Sequence, residues 1–423
     1  GNPLFLSEIL SVVRETGSAD EIPDSLDAVV SKQIDTLPPF ARQVLRQVAV
    51  LGRGFRTDIM NAYLGAAGLA LDRATLRNLD SFLEPDGRER KRFRHAVVHD
   101  VAYGSLPYRR RREFHALAGT VIEFIASDDP EGAAEVLALH FSESAEHAKA
   151  WRYAGIAGEK AKRTYSNPEA VRHYQRALDA ARHLTVPPDE VAEVWTRLGE
   201  VRDLMGNYEE AREAFSQAAR LIPDDAVRVA GLHLRRAEAW FGSGDIRQAK
   251  RSLSVARRAL GDARKRPARA MLARIDAYES SVHAANGDPV AALAAARRAI
   301  EGARATGEEE ALARAYGSLD WANFMLGNDE PRMGGEAVEI FNRLGQVDRS
   351  AMTLNMMGAF AYLEGDWTGA VEWYERSVAA AESSGNAFHA ANTRANIAEV
   401  LIGQRRPEDA IPLLEEADRF FQA

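Results

Sequence analysis

Apolar and small residues recur every three or four positions through most of the chain beyond residue 150, the spacing that gathers them on one face of an α-helix. The pattern is plainest at Trp195, Leu198 and Gly199, and again at Ala211, Phe215, Ala218 and Pro223. It is interrupted at regular intervals by a Gly followed by a small polar residue: Gly206-Asn207, Gly244-Asp245, Gly287-Asp288, Gly327-Asn328 and Gly365-Asp366, with Gly403-Gln404 as a weaker sixth. The intervals are 38, 43, 40, 38 and 38 residues, so the chain carries an internal repeat. A Gly there ends a helix in the left-handed conformation, and the neighbouring Asp or Asn accepts the free N–H groups that open the next one. Each dipeptide is therefore expected to join two helices. Pro289 and Pro407 stand where a first-turn proline loses no hydrogen bond, and Glu209 and Glu210 complement a helix dipole.

Equivalent small and large residues recur at Ala170, Tyr174 and Ala177, at Ala249, Leu253 and Ala256, at Ala292, Ala296 and Ala299, at Ala370 and Tyr374, and at Ala410, Leu414 and Ala417. This arrangement resembles the tetratricopeptide consensus. The period exceeds that family's 34 residues, which implies helices about one turn longer. The unit around Gly327 departs from the pattern, because Pro331, Gly334 and Gly335 weaken its second helix and are expected to leave that part adjustable. Residues 151–423 are expected to form about seven helix pairs in a curved solenoid whose first helices line a concave groove. The consensus positions place Arg314, Trp321, Phe324, Asn355, Tyr362 and Asn392 on that groove. Rings beside amide groups suit a peptide, a protein segment or a small-molecule effector. The plainer alternative is that Trp321 and Phe324 pack between repeats. The lysines of a carboxylate clamp, used by some tetratricopeptide proteins, are not found there.

The first third reads differently. Pro23-Asp24-Ser25, Pro38-Pro39 and Thr57-Asp58 each open an amphipathic stretch, Leu76 to Leu83 leads into the turn Glu84-Pro85-Asp86-Gly87, and Arg92-Phe93-Arg94 reads as a short strand. Three helices, a turn and a strand predict a winged helix over 23–106. The segment 107–150 is read as connecting helices, after a helical stretch from Phe93 to Ala118 that breaks at Pro107. The expected fold class is thus all-α: a tetratricopeptide-like α-solenoid preceded by a helical winged-helix domain.

Composition narrows the chemistry. Of 423 residues, 46% are hydrophobic and 27% charged, with no long uncharged apolar run, so neither a membrane span nor a membrane partner is expected, and a cytoplasmic location is. No cysteine is present, which removes disulfides, thiolate metal sites and cysteine nucleophiles together. Residues 38–112 hold fifteen Arg and Lys against seven Asp and Glu, so within a total of −8 they carry +8 and the remainder −16. Arg88, Arg90, Lys91, Arg92 and Arg94 could contact phosphate, as could Arg109 to Arg112, although no aromatic residues interleave to stack bases. His95 and His99, four apart with Asp100 adjacent, have metal-ligand spacing but lack the Glu of a His-Glu-x-x-His site, so no metal is assigned. No catalytic residues are assigned either. Nowhere does the sequence contain the Gly-x-x-x-x-Gly-Lys-Ser/Thr loop that cradles nucleotide phosphates, so no cofactor is assigned to this chain.

GNPLFLSEIL at the start, IPDSLDAVVSKQIDTLPPFARQVLRQVAVLGRGF, and FRHAVVHDVAYGSL followed by RRRREFH resemble the region downstream of the ATPase core in STAND-type signal-transduction NTPases. The resemblance is nearest to bacterial proteins that join an ATPase and tetratricopeptide repeats to a nucleotide cyclase or a LuxR-type DNA-binding domain. It implies that residues 1–22 end the helical subdomain of an ATPase core in the same polypeptide, that the start is a cut inside a longer chain, and that ATP or ADP belongs to that core. It also implies that Gly1, Asn2 and Pro3 are the remnant of a nucleotide-contacting Gly-x-Pro motif and that His95 senses the bound nucleotide. The implied role is that of sensor and regulatory arm. The alternatives are a regulator that grips DNA through the basic winged helix, and an autonomous tetratricopeptide scaffold.

Overall fold

The structure is a computed structural model that describes residues 26–262 and 264–422. The expectations for Gly1, Asn2, Pro3, the segment 1–22 and the opening at Pro23-Asp24-Ser25 lie outside the described residues. Those residues form 21 α-helices and one small sheet, in two compact units divided between Met205 and Gly206.

The first unit opens with α1 (Leu26–Thr36), α2 (Pro39–Val48), a 3-10 turn at Ala49–Leu51, β1 (Gly54–Arg56), α3 (Thr57–Ala66), α4 (Arg73–Leu79), β2 (Leu83–Pro85), β3 (Arg90–Phe93) and α5 (Ala96–Gly104). Pro39 starts α2 where a missing N–H costs nothing, and Asp72 caps α4 by accepting from the Thr75 N–H. The three strands are antiparallel in the order β1-β3-β2, with Phe55 opposite Lys91 and Leu83 opposite Phe93. Phe55, Phe82, Leu83 and Phe93 turn inward onto Val44, Leu45 and Tyr63 from the helices. Pro107 then ends the helical run, because it cannot donate an N–H into a continuing helix, and α6 (Tyr108–Ile125) begins directly after it. It is followed by α7 (Pro130–Ser144), α8 (His147–Arg163), α9 (Asn167–Ala181) and α10 (Pro188–Leu204).

A buried polar chain ties α5 to α6 and α7. The Tyr103 hydroxyl lies 3.0 Å from His115 Nε2, and His115 Nδ1 lies 2.9 Å from His140 Nδ1. His99 stacks on Tyr103 and reaches the Ala49 carbonyl with Nε2 at 3.0 Å. Burial in this core pushes His115 down to about 4 and His140 down to about 3, with Arg111 adding to the first shift and His115 to the second.

The second unit runs through α11 (Tyr208–Leu221), α12 (Ala226–Gly242), α13 (Ile246–Leu260), α14 (Arg266–Ala285), α15 (Pro289–Thr306), α16 (Glu309–Leu326), α17 (Gly334–Arg343), α18 (Val347–Leu363), α19 (Trp367–Ser383), α20 (Ala387–Gly403) and α21 (Pro407–Gln422). From α12 onward these make five antiparallel pairs. Gly244, Gly287 and Gly365 take φ of +82°, +70° and +85°, and Asp245, Asp288 and Asp366 accept from the N–H groups of Gln248, Ala291 and Gly369. Three expected joints differ. Asn207 stands before α11, but its side chain does not cap the helix. Gly403 is the last residue of α20, and the left-handed turn falls on Arg405 at φ +61°. Asn328 opens no helix; its amide donates to Asn323 Oδ1, and α17 starts only at Gly334.

In two of the pairs the helices close on a position without a side chain. A methyl group built on Gly158 of α8 would lie 2.6 Å from the Tyr174 ring of α9, and one on Gly358 of α18 would lie 2.6 Å from the Tyr374 ring of α19. The same packing occurs earlier, where Gly119 of α6 faces Phe141 of α7, so the segment 107–150 is paired in the manner of the repeats.

Gly158→Ala and Gly358→Ala should each destabilise by about 1–3 kcal/mol through overpacking, although alanine gains up to about 1 kcal/mol over glycine as a helix former. Urea unfolding checks this, and adding Tyr174→Leu to the first change should recover most of the loss. The histidines yield a second expectation. Unfolded imidazoles take up protons near pH 6.5, whereas His115 and His140 in the fold do so only near 4 and 3. The unfolded chain therefore binds more protons between these values, and stability should fall as pH drops from about 6.5 towards 4, with no such dependence above. Hydrogen exchange of α6 and α7 across that range should show the loss, and His140→Gln should reduce its slope.

Candidate ligand groove

In the second unit, α12 packs on α14, α14 on α16, and α18 on α20, whereas no second helix makes comparable contact with the second helix of the next pair among the described residues. The first helices therefore form the inner side of this unit. Close backbone approach is sparser between α16 and α18 than at the other steps, although the Phe324 and Phe360 rings meet there at 5.0 Å, and beside that contact a cavity of about 360 Å³ opens. It is lined by Ser281, Ala284 and Ala285 of α14, by Ala313, Arg314, Gly317, Ser318 and Trp321 of α16, by Phe341 of α17, and by Arg349, Met352, Thr353 and Met356 of α18. The small residues of α14 and α16 leave the room, and the Trp and Met side chains furnish an apolar wall.

The connection before α17 departs from the usual two-residue joint. Asp320, buried on α16, accepts hydrogen bonds from the Met333 N–H at 2.9 Å and the Gly334 N–H at 2.7 Å, so it caps α17 from a neighbouring helix. Burial raises its carboxyl above the ordinary value, against the pull of those two N–H groups. Asn323 donates to Glu330, which also pairs with Arg297 at 2.6 Å, and Arg332 pairs with Glu364. Gly334 and Gly335 do shorten the helix, to ten residues, but the loop before it is bonded at several points.

The groove is strongly charged. The Arg314 guanidinium lies over the Tyr278 ring at 5.1 Å, and Glu310 stands 3.7 Å from Arg314 and 3.4 Å from Arg349. Glu238 of α12 shares the same field: Arg235, Arg349 and Arg274 attract it and Glu310 repels it. Although 23% of its side chain is exposed, protein walls it on most sides, and that loss of hydration raises its carboxyl above the ordinary value.

The six groove residues expected from sequence separate into three groups. Arg314 and Trp321 share the cavity. Phe324 lies one turn on, in ring contact with Phe360 at 5.0 Å, with Arg332 over both, and lines a separate polar cleft with Asp320 and Asn323. Asn355 and Tyr362 bind α18 to α20: Asn355 Oδ1 accepts from Thr393 at 3.2 Å and Asn396 at 3.0 Å, and the Tyr362 hydroxyl donates to Glu399 at 3.4 Å. Asn392 is exposed on α20 and is not part of the cavity lining. Sequence reasoning missed Arg274, Arg349, Glu238, Glu310 and the two methionines. Arg274 had a signal, since it and Arg314 each stand 13 residues before a joint glycine.

In the first unit, much of the basic run is neutralised locally. Arg92 and Arg94 pair with Glu84 at 2.8 and 3.3 Å, and Arg90 pairs with Asp86 at 3.7 Å. Arg88 and Lys91 have no ion-pair partner among the described residues. Arg109 and Arg110 share Glu113, while Arg111 and Arg112 donate to main-chain carbonyls. His95 and His99 do not share a helix face. His95 precedes α5 with an extended φ of −134° and is exposed, whereas His99 is turned inward between Asp100 and the Ala49 carbonyl.

Tetratricopeptide repeat models match residues 192–225 and 349–423. No curated protein matches the chain by sequence. Among solved structures, aspartyl phosphate phosphatase F from Bacillus subtilis is similar at TM-score 0.52 and 11% identity, covering 95% of this chain and 96% of its own. The apo quorum sensor NprR from B. thuringiensis is similar at TM-score 0.52 and 9% identity, covering 86% and 97%. A STAND protein with a tetratricopeptide repeat sensor from Pyrococcus horikoshii aligns at TM-score 0.46 and 15% identity, over all of this chain and 62% of its own. The chain thus spans less than two thirds of that protein's length. The fold is that of a tetratricopeptide-like array, and none of its described helices is long and apolar enough to cross a membrane.

Proposed function

We propose that the chain is the sensor and regulatory arm of a STAND-type ATP-dependent signalling protein, with an effector bound in the groove of the second unit. The observation that carries this reading is the cavity between α14, α16 and α18, which combines an apolar wall with two guanidinium groups, those of Arg314 and Arg349, that share the one carboxylate of Glu310. In this reading residues 23–106 are a winged helix. The order helix, strand, two helices, two strands and the sheet order β1-β3-β2 support that assignment. The exposed His95, directly after β3, would face the nucleotide of an ATPase core in the same polypeptide, together with Gly1, Asn2 and Pro3. This chain contains no phosphate-binding loop of its own, so nucleotide chemistry and the output, whether cyclase or DNA-binding, belong to other parts of that polypeptide. An effector acts here only through its different affinities for two arrangements of the arm.

A random octapeptide library passed over the immobilised chain tests the groove. Retention should fall at least tenfold in Trp321→Ala while circular dichroism stays unchanged; retention indifferent to Trp321 would sink the reading. The DNA-binding alternative is disfavoured because Arg90, Arg92 and Arg94 already pair with Asp86 and Glu84. Duplex DNA should bind weakly and lose affinity steeply with salt. Nanomolar, sequence-selective binding at physiological salt, lost in Arg90→Ala/Arg92→Ala, would favour that alternative instead.

A further inference from the structure

We propose that the polar cleft beside the connection 327–333 binds the guanidinium of an arginine side chain in a peptide ligand, and that the chain's own Arg332 occupies this site as an internal plug. The cleft is separate from the groove, and the proposal does not rest on the reading above.

The site is identified by its occupant. The Phe324 ring of α16 and the Phe360 ring of α18 meet at 5.0 Å with 37° between their planes. The Arg332 guanidinium lies over both, 5.4 Å from the first centroid and 4.2 Å from the second, and pairs with Glu364 at the end of α18. Two ring faces and a carboxylate suit a flat, delocalised cation, which stacks on the rings while its N–H fork meets the carboxylate; an ammonium is a strongly hydrated point charge and fits less well. The receiving groups stand on two helices, whereas the cation they hold comes from a connection between helices.

That cation is exchangeable. Arg332 keeps 34% of its side chain exposed and Glu364 keeps 52%. Exposed ion pairs and cation–π contacts are individually weak. Among the described residues the Arg332 side chain donates to Glu364 alone. The connection stays anchored without it, since Asp320 holds the N–H groups of Met333 and Gly334, and Asn323 donates to Glu330. The cleft, of about 620 Å³, is also larger than its plug, and its lining carries Asp320, Asp329, Glu330 and Glu364 against Arg332 as the single cation. Glu330 is matched from outside by Arg297, but Asp329 has no ion-pair partner among the described residues. The surplus of negative charge draws a second cation towards the position that Arg332 fills.

The test titrates the chain, at physiological salt, with N-acetyl-arginine amide, N-acetyl-lysine amide and the neutral isostere N-acetyl-citrulline amide, following each probe by NMR. Arg332→Ala empties the site and should bind the arginine probe at least tenfold more tightly than the unsubstituted chain, and more tightly than it binds the other two probes. Adding Glu364→Gln or Phe324→Leu should remove most of that gain and leave the circular dichroism unchanged. Hydrogen exchange at Met333 and Gly334 reports whether the connection has kept its place; if Arg332→Ala disturbs it, Arg332→Gln, which keeps the length and removes the charge, is titrated instead. An arginine probe that binds the emptied site no more tightly than the unsubstituted chain, or no more tightly than the citrulline or lysine probe does, overturns the proposal. None of these outcomes involves Trp321, so the groove reading stands or falls separately.

Discussion

Three of the helix pairs depend on one steric arrangement: a buried ring of a second helix laid against a first-helix position that has no side chain. Gly158 with Tyr174, Gly358 with Tyr374 and Gly119 with Phe141 are three instances, and in each a single added methyl would enter the ring. Close approach at these points brings the two backbones near enough for the flanking alanines to be fully buried, as Ala170, Ala177 and Ala370 are. The helices of a pair are therefore held by shape more than by polar contacts, and the array propagates because each pair leaves an apolar face for the next.

The groove arises where this regularity is broken. Between α16 and α17 the usual two-residue joint is replaced by the connection 327–333, and the N-terminus of α17 is capped by Asp320 from the helix before it. A buried carboxylate satisfied by main-chain N–H groups is a stable substitute for a local cap. In the same part of the array a cavity lies between α14, α16 and α18, beside the Phe324–Phe360 contact that joins α16 to α18.

The first unit shows how a sequence patch can mislead about chemistry. The run from Arg88 to Arg94 reads as a phosphate-binding strip, yet strand pairing sets Arg92 opposite Glu84, and the tight turn brings Asp86 back to Arg90. Most of its charge is spent within the sheet. The histidines behave similarly: those close in sequence, His95 and His99, diverge, while His115 and His140, 25 residues apart, meet in the core.

The sequence by itself determined the helical pairs and most of their joints, because left-handed glycines, Asp caps and the spacing of small residues are local constraints with few alternatives. It also determined that α17 would be short, since two glycines and a proline weaken any helix. It did not determine which groove residues meet. Trp321 and Phe324 are three residues apart on one helix, yet one lines the cavity and the other packs on Phe360, because the position of the next pair decides which side of α16 stays open. Asn355 and Tyr362 look like ligand contacts in a linear reading, but α20 supplies their partners. Arg274, Arg349, Glu238 and Glu310 lie on four different helices, so only tertiary structure brings them into one field. Electrostatic neighbourhood is a property of space and not of chain distance, and a repeat that turns through space creates it among residues a hundred positions apart.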